Sequence, residues 1–534
     1  MWMLYRAHPR GIIIDKDAIS RLPKTSTSWK TRVWTAGVSA SRFIFVLFVA
    51  TFLIASSAGS YGQEPAVPDI ADASGWVRTW GGVGTDGALD VAVDAEGNVY
   101  TAGYYWSTVD FDPQGAGRSA TAEGRFDVFI TKHDPTGAVL WVETFGGPDD
   151  DRAEFLAVSD TGLYASYRIG DTYYLQKFNM SDGSPADGWS SPKTIEMTST
   201  CGLAADSTGV YWPYTFGSEI SPRFARWAMR KYSPDGAPLW SVTAPPDIVR
   251  PSVPLEIVWF EGPWSGNGIA LAGTEVWVAA TRIVSSTSLA VWCGSYSTSS
   301  GAPTGATVSF GPPDIPQPSF EGLGCVLIDW ELAVGCGILV DNSGDLVING
   351  CFRGNDVRFA PSEDSAHSSI LPDRWDHFVT KISRDGVLQP GWPVVISTSE
   401  ADYKYKDLVM DMAIDDLGNV YIGGCFSSVD QRTLGGGRIA VNTNRETRNS
   451  DALLARIDSI PTPPGSWSWV GSWGTSLSFD YVRGVAVSGP FVYAVGIYAN
   501  EVDFSPWSSL DGSMPGFGEE DAYLARYRTS DGLW

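Results

Sequence analysis

A ring of small four-stranded antiparallel sheets, a β-propeller, is the fold class this sequence predicts. Three observations predict it. One segment recurs seven times, most clearly as Asp90–Gly103 (DVAVDAEGNVYTAG), Gly337–Gly350 (GILVDNSGDLVING) and Asp411–Gly424 (DMAIDDLGNVYIGG). A second segment follows it, a strand opening with Asp and ending with a base: Asp127–Lys132, Asp376–Lys381, Asp451–Arg456 and Asp521–Arg526. The two ends of the repeat region also complement each other. Gly75–Gly82 (GWVRTWGG) is a lone strand with no repeat before it, and the last repeat stops at Trp534, where its final strand should begin.

Each recurring segment is apolar alternation, a turn rich in Asp, Gly and Asn, then apolar alternation again, which is a β-hairpin. The seven hairpins fall at about 89–104, 154–167, 201–215, 268–283, 336–352, 409–426 and 483–498. After the Asp-to-base strand, worn to Tyr173–Lys177 and Trp227–Lys231 in two copies, a Gly-bearing turn leads to a Trp-bearing strand. Examples are Asp134–Gly147 (DPTGAVLWVETFGG), Ser233–Trp240 (SPDGAPLW) and Ser383–Trp392. Each unit therefore holds four strands. Repetition at this period gives either a solenoid or a propeller, because one sheet cannot bury both faces alone. An orphan first strand that completes an unfinished last unit favours a closed ring of seven blades, with no open sheet edge left. The fourth unit, about 246–300, is the most degenerate.

These repeats resemble the β-propeller repeat family called SBBP repeats, found in exported bacterial proteins. The matching residues are Asp90–Gly103, Val109–Pro113 (VDFDP), Asp127–Lys132 and the Gly137, Trp141, Gly146–Gly147 pattern. The resemblance is strong in units one, five, six and seven and covers most of residues 75–534. It implies the fold and an extracytoplasmic setting, and it carries no catalytic residues.

Ahead of the repeats, Phe43–Ala55 (FIFVLFVATFLIA) follows Arg42 and precedes a small-residue stretch. Thirteen apolar residues read as the core of a signal peptide rather than as a membrane span. The expected organisation is a leader and signal peptide at 1–62, a short linker at 63–74 and a single propeller at 75–534. Export implies a secreted, periplasmic or surface protein, without membrane insertion once the leader is removed, and a monomer is expected.

The chain has 37 basic and 61 acidic residues, and without residues 1–62 the balance is 29 to 59, a net charge of −30. That excludes a nucleic-acid partner, which needs a basic footprint. None of the six cysteines forms a C-x-x-C pair, so zinc and thioredoxin-like readings fail. Cys351 and Cys425 hold equivalent strand positions and read as small buried residues, while one disulfide among Cys293, Cys325 and Cys336 suits an oxidising compartment.

The short turns are stereotyped, so variation concentrates in the loops between second and third strands. These are long in units one (about 105–126), five (353–375), six (427–450) and seven (499–520). Ring closure makes those units neighbours, and variable loops on a rigid frame are where binding residues gather. With the insertions Pro245–Gly268 and Ser300–Leu332 on the other side, a lopsided cup is expected. Asp86, Asp149–Asp151 and Asp480 would make it acidic. Trp106, Trp375 and Trp507 are the candidate ligand contacts. VDFDP recurs as Val357–Pro361 (VRFAP) and Val502–Pro506 (VDFSP). The retained Val, Phe and Pro predict apolar anchoring of the loop. Asp110 and Asp112 are the one candidate pair for calcium, which needs several oxygen ligands; no other cofactor is expected.

Chemistry has few parts here. The four histidines are His8 in the leader, His133 and His377 at repeat positions, and His367 in a loop. No nucleophile elbow, zinc helix or phosphate loop is present. The Asp that opens the third strand (Asp127, Asp376, Asp451, Asp521) recurs too often to be catalytic and is expected to accept turn amides. The function expected is a non-catalytic scaffold that binds a protein, glycan or surface polymer through the long-loop face. One alternative is a carboxylate-based glycosidase or lyase. Another follows from SPDGAPLW and DPTGAVLW, which are similar to the tryptophan-docking repeats of quinoprotein dehydrogenases. Those enzymes carry adjacent cysteines above their cofactor and usually eight blades, and this chain has no adjacent cysteines.

Overall fold

In the computed structural model the described residues are 75–533, apart from 222–223, 252–266, 286–287, 311–330, 354–356, 361–375, 397–407, 427–431, 435–437, 441–449, 476–478 and 506–511. Ahead of residue 75 only 6–8 and 11–13 are described. The signal-peptide core, the linker, Cys325, His367, Trp375 and Trp507 thus lie outside the described residues. Met1–Ala71 is a unit separate from Asp72–Trp534; within it, Arg6–His8 pairs antiparallel with Gly11–Ile13.

Asp72–Trp534 is a seven-bladed β-propeller. Blade 1 runs from its innermost strand outward as Gly87–Val93, Val99–Tyr105, Asp127–His133 and Val139–Phe145. Blades 2 to 6 begin with innermost strands Arg152–Ser159, Ala204–Asp206, Ile269–Ala272, Glu331–Val340 and Leu408–Ile414. Blade 7 has Tyr481–Ser488, Phe491–Tyr498 and Asp521–Arg528, and its outermost strand is Trp76–Trp80. That strand pairs antiparallel with the third, from Trp76 opposite Arg526 to Trp80 opposite Ala522. Every innermost strand touches the next, and the seventh touches the first. Two edge contacts join the irregular middle: Ile248–Pro251 pairs with both blades 3 and 4, and Ser288–Leu289 pairs parallel with Glu331–Leu332.

The core follows the ring. Seven apolar clusters each lie between two adjacent blades, such as Trp80, Phe129, Tyr493 and Leu524 between blades 7 and 1. Alternation along each strand supplies one set of side chains to either neighbour. Cys351 and Cys425 are buried in these sheets, as expected. The loop motif is also anchored as expected: Val109, Phe111, Val357, Phe359, Val502 and Phe504 are all buried, with Phe111 edge-on to Tyr105 at 5.3 Å and Phe504 on Tyr523 at 4.9 Å.

One polar contact repeats at almost every junction between blades. In blade 1 the Trp141 indole N–H and the Lys132 ammonium both donate to the Met180 carbonyl of blade 2, at 3.1 and 2.9 Å. Trp189 and Lys177 donate to Pro234 of blade 3 at 3.0 and 3.1 Å. Trp240 and Lys231 donate to Thr298 of blade 4 at 3.1 and 2.8 Å. Trp469 and Arg456 donate to Thr529 of blade 7, both at 2.9 Å. Trp76 and Arg526 donate to Pro135 of blade 1 at 3.2 and 2.6 Å. In blade 5, Trp392 donates to Ser459 of blade 6 at 3.2 Å, while Lys381 sits 2.7 Å from Asp341.

Each accepting carbonyl lies in the Gly-bearing turn after the next blade's third strand, and at Gly137, Gly183, Gly301 and Gly532 the indole lies on the turn's glycine. A Cβ at Gly183 (φ +79) would come 2.8 Å from the Trp141 ring, and one at Gly137 (φ +83) 3.0 Å from Trp76. The base and the tryptophan of one repeat are therefore spaced to grip the glycine turn of the next. Blade 4 lacks both parts. There Arg384 of blade 5 reaches back, its Nη1 2.8 Å from Glu275 Oε2 and its guanidinium 5.8 Å from the Trp277 ring centre.

Trp141→Phe keeps an aromatic ring but deletes the N–H with the pyrrole part of the indole, so it is expected to lower unfolding free energy by about 1–2 kcal/mol or more in denaturant titration, with an unchanged m-value. Gly183→Ala should cost at least as much, because positive φ and the indole both oppose a Cβ. Wild-type stability in both variants would contradict the role given to this contact.

Candidate functional site

The acidic cup expected from Asp86, Asp151 and Asp480 is not what these residues build, because each is consumed by the frame. Asp86 accepts the amides of Gly82 and Trp106 at 2.7 and 2.8 Å. Asp151 accepts those of Gly147 and Gly170 at 2.6 and 2.8 Å, and Asp480 those of Thr475 and Ala499 at 2.9 and 3.0 Å. Each carboxyl ties the entry of an innermost strand to the end of the second strand, and all three are buried. Burial raises their pKa, that of Asp86 to about 7.

The Asp opening the third strand behaves as expected where its bonds are seen. Asp127 accepts the amides of Glu123 and Gly124, and Asp521 those of Phe517 and Gly518. Asp110 accepts the amides of Asp112 and Arg118, and Asp112 that of Ala116, so both candidate calcium ligands serve as loop acceptors. Among the described residues no group of three or more His, Cys, Asp or Glu side chains is placed to hold a metal ion. His133 stacks on Trp80 at 5.9 Å, and burial, aided by Arg78, pushes its pKa down to about 3, so it stays neutral. Trp106 is half-buried, edge-on to Phe126 at 6.3 Å with the Arg125 guanidinium 5.9 Å from its ring centre.

The innermost strands carry the feature that the sequence reading missed. In blades 1, 2, 5, 6 and 7 the pairing with the second strand shifts by one residue, at Leu89, Glu154, Cys336, Met410 and Arg483. A bulge there re-aims side chains at the axis. The residue after it, where it is Asp, staples the next blade: Asp90 accepts the Leu156 amide at 2.6 Å and Asp411 the Val485 amide at 2.8 Å. Asn267, ahead of blade 4, crosses the axis. Its side chain exchanges two hydrogen bonds with Leu203 of blade 3, and its carbonyl accepts the Ile338 amide of blade 5.

These residues enclose an axial cavity of about 130 Å³, bounded by Asp90, Glu154, Asn267, Asp411, Arg483 and apolar neighbours. That is room for a few water molecules and too little for a sugar ring. Burial raises both aspartates, Asp411 to about 7, and Asp411 pushes Asp90 further upward by repulsion.

Above the cavity, on the long-loop face, arginines converge. Arg152 and Arg168 stand directly opposite each other at the entry to blade 2. Arg152 Nε is 3.2 Å from Glu154 Oε1. Arg483 of blade 7 lies 5.1 Å from the Tyr481 ring centre. Between them, Tyr104 of blade 1 is held edge-on to Phe126 at 5.0 Å. Burial raises the Tyr104 phenol and the Glu520 carboxyl adds to this, while Arg483 and Arg152 pull it back. Glu520 is itself raised by burial and lowered by Arg483.

No protein-family model and no curated protein matches the chain. Solved structures it is similar to are propellers. The β-propeller domain of the Trilobed protease from Pyrococcus furiosus shares 10% identity over 78% of this chain and 90% of that one, with a TM-score of 0.36. The Dos1 propeller shares 8% over 86% and 96%, at 0.37. The PQQ-bound aldose sugar dehydrogenase of Streptomyces coelicolor shares 14% over 69% and 97%, at 0.28.

A carboxyl whose pKa is raised by folding stabilises the fold while protonated, and that stability fades as pH climbs from about 4 toward the folded value. Asp90, Asp411 and Asp86 share this sign, with folded values of about 7 for the last two. The melting temperature is therefore expected to fall between pH 4.5 and 7.5 in calorimetry. Asp411→Asn keeps an oxygen for the Val485 amide and should flatten that slope; a slope unchanged by it, or a rising Tm, would contradict the buried pair.

Proposed function

We propose that this protein is an exported, non-catalytic propeller that binds a protein, glycan or surface polymer through its long-loop face. The observation that carries this reading is the division of labour among its polar groups. Most recurring acids, bases and tryptophans are spent on turns and blade junctions, as shown for Asp86, Asp127, Lys132 and Trp141. The groups outside that frame, Trp106 with Arg125 and the arginines around the axis, gather on one face. Small hairpins within the long loops, Thr108–Asp110 with Ser119–Thr121 and Val502–Asp503 with Ser513–Met514, give that face a built surface. The tryptophan pattern shared with quinoprotein repeats is accounted for by the indole–carbonyl contacts between blades, without reference to a cofactor.

A second reading, carboxylate catalysis, draws on Glu154 and Glu520, both raised by burial and both near the axial mouth. A glycan array and a pulldown with residues 63–534 separate the two. Trp106→Ala is expected to weaken capture about tenfold, the loss typical of an interface anchor. Capture undiminished by that change would move the binding face elsewhere. Turnover of a polysaccharide, abolished by Glu154→Gln, would establish the enzyme instead.

A further inference from the structure

In a chain of net charge −24, Arg483 lines the axial cavity, and so does Glu154, which is paired with Arg152 opposite Arg168. Arg152 and Arg168 face each other across paired strands, a like-charge placement that costs stability unless an anion lies between them. Glu154 supplies one carboxylate, bound through Oε1 to Arg152. Its other oxygen, Oε2, is buried without a hydrogen-bond partner, and so are Nε of Arg168 and Nε of Arg483. Glu154 is 2% exposed, so its orphaned oxygen is a genuine desolvation cost. Two donors and one acceptor thus stand unmet just beneath one mouth. Chloride or sulfate would satisfy only the donors. A ligand carrying a carboxylate for the guanidinium groups and a hydroxyl for Glu154 would satisfy all three.

We propose that Arg152, Arg168, Arg483 and Glu154 form a receptor for a hydroxy-carboxylate, the chemistry of a sugar acid, at the long-loop mouth of the axial channel. Arginine suits the role because its planar fork matches a carboxylate. The bulges at Glu154 and Arg483 explain how these residues reach the axis from strands whose other copies carry Leu89 or Met410 at that position. Tyr104, half-buried beside Arg152 and Arg483, offers ring surface for a sugar at the mouth. This inference rests on the long-loop face being the binding face, and it names the ligand class that face takes.

Titration calorimetry of residues 63–534 with glucuronate, glucose, acetate and a short Asp-rich peptide tests it. Glucuronate is expected to bind more tightly than glucose or acetate, with Arg168→Gln or Arg483→Gln weakening it about tenfold or more. Arg168→Lys, which keeps charge and loses the fork, should fall between, and guards against a variant that fails to fold. Glucuronate binding that the arginine changes leave intact would overturn the receptor, as would tighter binding of the peptide. Polymer capture that depends on Trp106, with no response to any small carboxylate, would overturn the receptor and leave the binding face standing. Absence of both would overturn the two together.

Discussion

The structure depends on a carbonyl that, at five of the seven blade junctions, accepts two donors from the blade before it. An indole and a charged side chain converge on Met180, Pro234, Thr298, Thr529 and Pro135. Apolar clusters between blades supply most of the burial energy, but they are non-directional and tolerate sliding. The carbonyl contact fixes angle and register, because a carbonyl has two lone pairs and both are used. It also explains the glycine at 137, 183, 301 and 532: the indole lies where a Cβ would be, and the backbone is left-handed there. A single constraint thus links the Trp and the Lys or Arg of one repeat to the glycine turn of the next at five junctions.

The same accounting separates frame from function. Asp86, Asp151 and Asp480 look like a charged rim in sequence, yet each satisfies two amides and is buried. Asp90 and Asp411 staple adjacent innermost strands around a cavity that holds little beyond water. Only after these roles are assigned does the remainder stand out. In an acidic protein, three arginines stand about the axial mouth, one of them paired with Glu154. An electrostatic field that repels anions at long range therefore contains a short-range site that attracts one, which favours ligands offering further hydrogen-bonding groups over simple ions.

Much of the fold was legible because the repeat states it seven times, and hairpin chemistry in DAEGN, DNSGD and DDLGN is unambiguous. The burial of Val109 and Phe111, and the turn-amide bonds of Asp127 and Asp521, were readable for the same reason. The axial arginines were not. Arg152, Arg168 and Arg483 sit in the least repetitive places, and bulges that rotate Glu154 and Arg483 inward leave no mark in an alternating pattern. A signal did exist: the third residue of the innermost strand changes from Leu89 to Glu154, Met410 and Arg483 while the residue before it stays Ala or Val. Variation inside a strand carried as much information as variation in the loops.

The central claim is that the indole–carbonyl contacts, Trp76 included, make the ring a single cooperative unit. Native-state hydrogen exchange of the tryptophan indole N–H groups tests this most directly. The account predicts that Trp76, Trp141, Trp189, Trp240, Trp392 and Trp469 exchange through one opening whose free energy equals that of global unfolding. A Trp76 indole that exchanges through a much cheaper local opening, while the others remain protected, would contradict it.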